Sequence, residues 1–161
     1  MINIEEITLD HIHEFWEIHN RYLIDDGIVT DEEDIEYFQS EEYRGVMEAN
    51  MIRSHDRQHM VWFITDGERK GAASYCMYEN EGNKCFIMDF LVFPQFRNQG
   101  NGHRFYEALE EYTKADGALC WELNSTKENS VRFWKSLGFK ENGTDEYDMP
   151  LYIKNKAGKE E

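Results

Sequence analysis

The stretch that most limits what this chain can fold into is Lys84 to Phe93, KCFIMDFLVF, where Asp89 is the sole carboxylate in a nearly unbroken apolar run. A strand exposed on one face alternates apolar and polar residues. A run without alternation fits a central strand covered on both faces. It leads into FPQFRNQGNG, Phe93 to Gly102, a loop with one arginine, four amide side chains and two glycines. The chain then restarts as HRFYEALEEY, where Phe105, Leu109 and Tyr112 are spaced for one buried stripe, predicting a helix from Gly100 to Ala115.

Two readings of that loop compete. One is a polar strand-to-helix turn with a glycine stop; the other is a cradle of backbone amides for an anion. The first N–H groups of a helix lack intrahelical partners, and the helix dipole adds positive potential there. Gly100 and Gly102 would let a ligand approach the backbone, and Arg97 brings a charge able to pair with a phosphate in forked geometry. No Lys-Ser or Lys-Thr follows, which excludes a P-loop, and Phe105 stands where a dinucleotide fingerprint needs its third glycine.

Around this unit the periodicity predicts a sheet with helices. Ile2, Ile4 and Ile7 open a short strand, and a helix follows from Thr8 or Asp10 to Leu23 with Ile12, Phe15, Trp16, Ile18 and Tyr22 on one broad face. Thr30 with Glu33 reads as a capping box opening a second helix, and another covers Glu41 to Arg53. From Met60 the period changes. MVWFIT, GAASYCMY and KCFIMDFLVF, separated by DGER and ENEGN turns, form three strands joined by hairpins. ALCWELN makes a further strand, NSVRFWKSL a short helix stopped by Gly138, and Phe139 to Lys154 two closing strands. The fold class is α/β (α+β): a mixed, mostly antiparallel central sheet of six to seven strands flanked by about four helices. One domain spans 1–154, and 155–161 is expected to be a disordered tail.

Composition narrows the partners. There are 17 basic and 33 acidic residues, a formal charge of -16, so nucleic acid is repelled and no basic stripe compensates. No apolar run reaches the length of a membrane span, and the N-terminus lacks a signal-peptide pattern, so the expected location is cytoplasmic with no membrane partner. Cys76, Cys85 and Cys120 each lie in an apolar segment and read as small core residues. His55, Asp56 and His59 have spacing that a helix could turn toward one metal, but their surroundings read as a loop leading into a strand. His11 and His13 would not share a helical face. No metal is expected.

The chain resembles the GCN5-related N-acetyltransferase family. The family's acetyl-CoA motif is an apolar strand ending in Val-x-Pro, then Arg/Gln-x-x-Gly-x-Gly/Ala opening a helix. Here it reads Val92-Phe93-Pro94, then Arg97-Asn98-Gln99-Gly100-Asn101-Gly102. A second family element, an aromatic followed four residues later by Gly-Phe, is present as Trp134 and Gly138-Phe139. The match runs from Met60 to Phe139; the first 58 residues carry little of it. The resemblance implies that the amides of Asn98, Gln99, Gly100, Asn101, Gly102 and His103, with Arg97 at the mouth of the loop, cradle the CoA pyrophosphate. It also implies that the backbone of Phe90, Leu91 and Val92 pairs with the pantetheine arm like an added strand, a free amide there polarising the thioester carbonyl.

Acetyl transfer to an amine requires a neutral amine and a proton for the leaving thiolate. Asp89 and Glu122 are the candidate bases, since burial would raise either pKa toward neutrality. Asp89 reads first as a structural carboxylate bonding neighbouring backbone to hold the loop, and second as a base. Trp134 stands where many family members carry a Tyr, and an indole N–H is no acid at neutral pH. The Asn that often precedes the same helix is Lys127 here; Asn124 and Asn129 flank that position, with Asn129 taken as a contact to the CoA arm. Asp25 to Glu36 carries seven carboxylates, either a solvated surface or an entrance for a cationic acceptor such as a polyamine, an aminoglycoside or a Lys-bearing peptide. The resulting expectation is an acetyl-CoA-dependent N-acetyltransferase with an amine acceptor, and a homodimer as assembly. The alternatives are a non-catalytic acyl-CoA-binding or sensing module, or an unrelated α/β domain with a chance glycine loop.

Overall fold

The structure, a computed structural model, describes residues 1–156. Its elements are β1 (Asn3–Glu6), α1 (Ile12–Asp25), α2 (Glu32–Phe38), α3 (Glu41–Ile52), β2 (Gln58–Thr65), β3 (Glu68–Tyr78), β4 (Lys84–Val92), α4 (Asn101–Ala115), β5 (Cys120–Asn124), α5 (Glu128–Ser136), β6 (Lys140–Thr144) and β7 (Pro150–Asn155). The seven strands make one sheet in the order β1-β2-β3-β4-β5-β7-β6, with β4 in the middle. Every neighbouring pair is antiparallel except β4 and β5, which α4 joins as a crossover.

Several boundaries move for local reasons. Asp66 and Gly67 alone make the β2–β3 turn, both at positive φ (54° and 77°), so Glu68 and Arg69, expected in the turn, already belong to β3. Asp31, not Thr30, caps α2, its side chain accepting from the Glu33 N–H at 2.8 Å. An aspartate brings full negative charge to the helix start, which makes it the better cap. Asn155 closes β7, and the Lys156 N–H donates to the Leu119 carbonyl at 2.9 Å, so these residues extend the sheet. The rest of the expected tail, 157–161, lies outside the described residues.

Alternation along the strands builds two cores. Met60 and Trp62 of β2 face α1 and pack with Ile7, Phe15, Trp16 and Leu91. Val61 and Phe63 face the opposite side and pack with Tyr75, Phe105, Trp121 and Trp134. All three cysteines are free; Cys76 and Cys85 are buried. His59 stacks on Tyr75 and holds Glu6 at 2.9 Å, which engages its ring within β1–β3.

One irregularity decides the site. Ser74 pairs with Asp89 but Tyr75 pairs with Ile87, so Met88 is an extra residue in β4. This bulge inverts the alternation. Cys85 and Ile87 face the α4 core, whereas Leu91, an even number of residues further on, faces α1. Asp89 is turned to the α1 side with it.

β3 approaches β4 closely at Gly71, where a Cβ would stand 2.6 Å from the Leu91 carbonyl oxygen. Gly71→Ala should therefore destabilise the protein by about 1–3 kcal/mol, the usual penalty of overpacking. Urea titration of both proteins checks this; an unchanged midpoint would contradict the close approach.

Candidate active site

β4 and β5 pair only from Lys84↔Cys120 to Phe86↔Glu122 and then part. The β5-facing edge of β4 beyond Phe86 thus has no strand partner among the described residues. Val92's carbonyl faces this gap, where the Arg97 Nε–H donates to it at 2.7 Å. By alternation, Phe90's backbone groups face it too. Leu91's carbonyl instead turns to β3, against Gly71, so Leu91 is the least suited of the three expected backbone contacts.

Two clefts occupy the gap. One, of about 470 Å³, runs from Phe90, Leu91 and Val92 to Arg97 and the start of α4, with Phe133 of α5 among its walls. The other, of about 310 Å³, lies between Asp89 of β4 and Leu123 of β5 and includes Trp134. Tyr22 and Phe90 line both, so the two clefts adjoin along the freed edge and together form a passage.

At its α4 end the passage meets the turn between β4 and α4. Asn98 and Gly100 adopt positive φ (61° and 80°), which Asn tolerates and Gly adopts freely. The loop's side chains tie it to itself. Asn101 Nδ2 donates to the Phe96 carbonyl at 2.9 Å, and Arg104 donates to Asn101 Oδ1 and to the Gln99 carbonyl. The N–H groups of Asn101, Gly102 and His103, which a helix start leaves without intrahelical partners, are left for the cleft that these residues line. Gln99 reaches back to the Gln95 carbonyl and does not line the cleft. Gly102 serves packing more than ligand approach, since a Cβ there would stand 2.8 Å from the Phe133 ring. His103 crosses Phe133 edge-on and meets Ser136 Oγ at 3.2 Å.

Arg97 differs from expectation. Its guanidinium forks onto Asp26 at 2.8 and 2.7 Å while its Nε–H holds the Val92 carbonyl. Its charge is committed to the end of α1, so the positive potential of the cradle comes from backbone. Lys127, where the family often has Asn, grips the same place from the β5 side. Its Nζ donates to the Asp26 and Gly27 carbonyls at 2.7 and 2.9 Å. Cations at the carboxyl end of a helix also complement its dipole. α1 is thereby fastened to both arms of the opening.

Asp89 sits among three elements. Ser74 Oγ donates to Oδ2 at 2.7 Å, and His19 Nε2 lies 3.4 Å from Oδ1. Burial alone would push its pKa up, but the His19 and Ser74 hydrogen bonds and the attraction of His19 outweigh that and hold it below the ordinary value. The expected rise toward neutrality is therefore corrected: Asp89 is an ionised counter-ion. His19 is buried, ring-stacked with Phe15 and Tyr43, and its Nδ1 has no hydrogen-bond partner among the described residues. Glu122 is also buried, but Lys84 Nζ and Asn142 Nδ2 take its two oxygens at 2.8 and 2.7 Å, and it lines neither cleft. It braces β4, β5 and β6.

Trp134 is enclosed edge-on by Phe90, Tyr106 and Phe139 at 5.2–5.6 Å between ring centres and shapes the smaller cleft. Asn129 is exposed, accepts from the Ser130 N–H and does not line the passage. Asn124 does line it, with its amide held by Asp145 and the Pro150 carbonyl. Sequence reasoning missed His19, Tyr22 and Asp26. Their helical spacing along the α1 stripe was the available signal. Burial first, then Asp89 and Asp26, raise the Tyr22 pKa against the opposing Arg97, so its phenol stays protonated.

The chain matches the profile of the acetyltransferase (GNAT) family over residues 12–139. It belongs to that family. Its fold agrees with that of PaiA N-acetyltransferase from Thermoplasma acidophilum, solved in complex with coenzyme A, at 20% identity and a TM-score of 0.74, covering 97% of this chain and 99% of that one. A GNAT-family acetyltransferase from Staphylococcus aureus is 16% identical with a TM-score of 0.68, over 96% and 99% of the two chains. An acetyltransferase from Streptococcus agalactiae is 12% identical with a TM-score of 0.69, over 96% and 98%. Among curated protein sequences none matches this chain. The family and the shared fold support acetyl-CoA-dependent acetyl transfer. No helix among the described residues is long and apolar enough to cross a membrane.

The lowered pKa of Asp89 gives a signed test. Its ionic hydrogen bonds stabilise the fold above the ordinary aspartate value of 3.8, and that contribution fades as pH falls through the lower folded value. Asp89→Asn should lose roughly 1.5–3 kcal/mol at neutral pH, and the gap to the parent should narrow below about pH 4. Urea midpoints at both pH values measure it, and a gap that widens in acid would refute the assignment.

Proposed function

We propose that the protein is an N-acetyltransferase that carries an acetyl group from acetyl-CoA to a primary amine by direct attack in a ternary complex, working in the cytoplasm. The observation that carries the reading is the unpaired inner edge of β4, which leads from the start of α4 to Asp89. The residues suit the cofactor. A helix N-terminus with Asn98 and Gly100 in left-handed conformation offers amides to a pyrophosphate. An exposed strand edge takes an extended arm as an added strand. Asn98, Gly100, Asn101, Gly102 and His103 would hold the anionic end, and Phe90 the arm.

Acetyl-CoA supplies the acetyl group as an activated thioester. Asp89 receives and orients the amine as its counter-ion. The neutral amine attacks after losing a proton to water, since a carboxylate held below its ordinary pKa is a weak base. The amine nitrogen forms the new C–N bond, the C–S bond breaks with its electrons on sulfur, and the departing thiol ends with the proton that nitrogen releases. Trp134 offers no acid. Tyr22 lines both clefts and keeps its proton, so its O–H is the group we assign to hydrogen-bond the leaving sulfur. A CoA-binding module without turnover is the second reading, and the indole at residue 134 is what favours it.

Thermal unfolding with and without excess acetyl-CoA tests the cofactor. A ligand at ~100 times its dissociation constant adds about 2.7 kcal/mol, a visible rise in midpoint. Gly100→Glu should lower the ligand-free midpoint slightly, by the roughly 1 kcal/mol cost of a side chain at positive φ, and lose that rise, because it places bulk and negative charge at the amide cradle. Release of CoA thiol with an amine panel then separates the enzyme from the silent module.

A further inference from the structure

Resting on the acetyl-transfer reading above, we infer that the acceptor is a small primary monoamine with an apolar body, of the arylalkyl or alkyl kind, and not a polycation. The smaller cleft is where the acceptor meets Asp89, and its lining is poor in carboxylates for so acidic a chain. The chain carries a formal charge of -16, yet Asp89 is the one carboxylate in this lining and Lys127 brings a matching positive charge. A polyamine or aminoglycoside would bring several ammonium groups to a site offering one counter-ion beside a fixed cation.

The acidic segment does not make up the difference. None of its seven carboxylates lines this cleft; from that segment only Ile28 does. Asp26 is forked to Arg97, and Asp31, Glu32, Glu33 and Asp34 cap and open α2. Asp145, which reaches the lining residue Asn124, is held by the Tyr147 and Met149 N–H groups.

Beside the polar residues Asn124, Ser125, Thr126 and Ser130, the cleft offers an apolar flank. Ile28, Met88 and Met149 line it while remaining 48%, 40% and 41% exposed, and Leu123 and Trp134 continue the surface inward. Three large apolar side chains left in water at one opening are what an apolar substrate would cover. Methionine adapts its shape to such a partner. At about 310 Å³ the cleft is at the small end of ligand sites, which favours a compact amine over an oligosaccharide or a folded chain.

The test is CoA thiol release at saturating acetyl-CoA with phenethylamine, benzylamine and hexylamine against putrescine, spermidine, kanamycin and a lysyl peptide. The best monoamine should exceed every polycation and the peptide by about tenfold or more in kcat/KM. The double variant Met149→Glu/Ile28→Glu, at two exposed positions, should raise the monoamine KM by about tenfold and shrink its advantage over spermidine. A preference for spermidine, kanamycin or the peptide in the parent overturns this inference and leaves acetyl transfer standing. Silence with every amine, while acetyl-CoA still raises the unfolding midpoint, overturns both.

Discussion

Everything functional in this molecule depends on the parting of β4 from β5. Two parallel strands that stayed paired would satisfy each other's backbone groups and leave nothing to offer. Here pairing ends at Phe86↔Glu122, and the freed edge of β4 opens onto a cleft in the middle of a sheet. Buried backbone groups without partners are costly, so the arrangement is stable only with a cleft that admits ligand or water. The extra residue at Met88 completes it by turning Asp89 away from the α4 core toward His19 and the passage.

Two cationic side chains brace the opening, one through an ion pair and one through backbone carbonyls. Arg97, beyond the end of β4, and Lys127, beyond the end of β5, converge on Asp26 and Gly27 at the close of α1. Tyr22, one turn earlier on α1, then stands where the two clefts join. The glycines act differently from each other. Gly100 supplies a backbone angle, while Gly102 supplies room for Phe133 and so for the contact between α4 and α5.

Much of this was legible in the sequence. The apolar run of β4, the glycine-bearing turn and the stripe of α4 placed the strand, the loop and the helix within a residue or two. Local spacing carries that kind of information. It does not carry which partner a charge selects at long range. Arg97 to Asp26 spans 71 positions and Lys127 to Asp26 spans 101, so the sequence did not show that the loop arginine, which lines the larger cleft, also ties two elements together. Asp89 was visible as a lone carboxylate, but the sign of its pKa shift required His19 and Ser74 beside it. Glu122 read as its equal only because Lys84 and Asn142 could not be placed against it.

The convergence on Asp26 has a consequence for how such a chain can diverge. α1 supplies Tyr22 to the wall of both clefts, and through Asp26 and Gly27 it is tied to the loop that precedes α4 and to the segment after β5. A substitution that reshapes α1 for a new acceptor will therefore shift the mouth of the cofactor cradle too. Residues sharing one network respond to change together and not additively. On the acetyl-transfer reading proposed above, acceptor preference and cofactor affinity are thus bound into a single epistatic unit, so that neither half of the chain is free to drift alone.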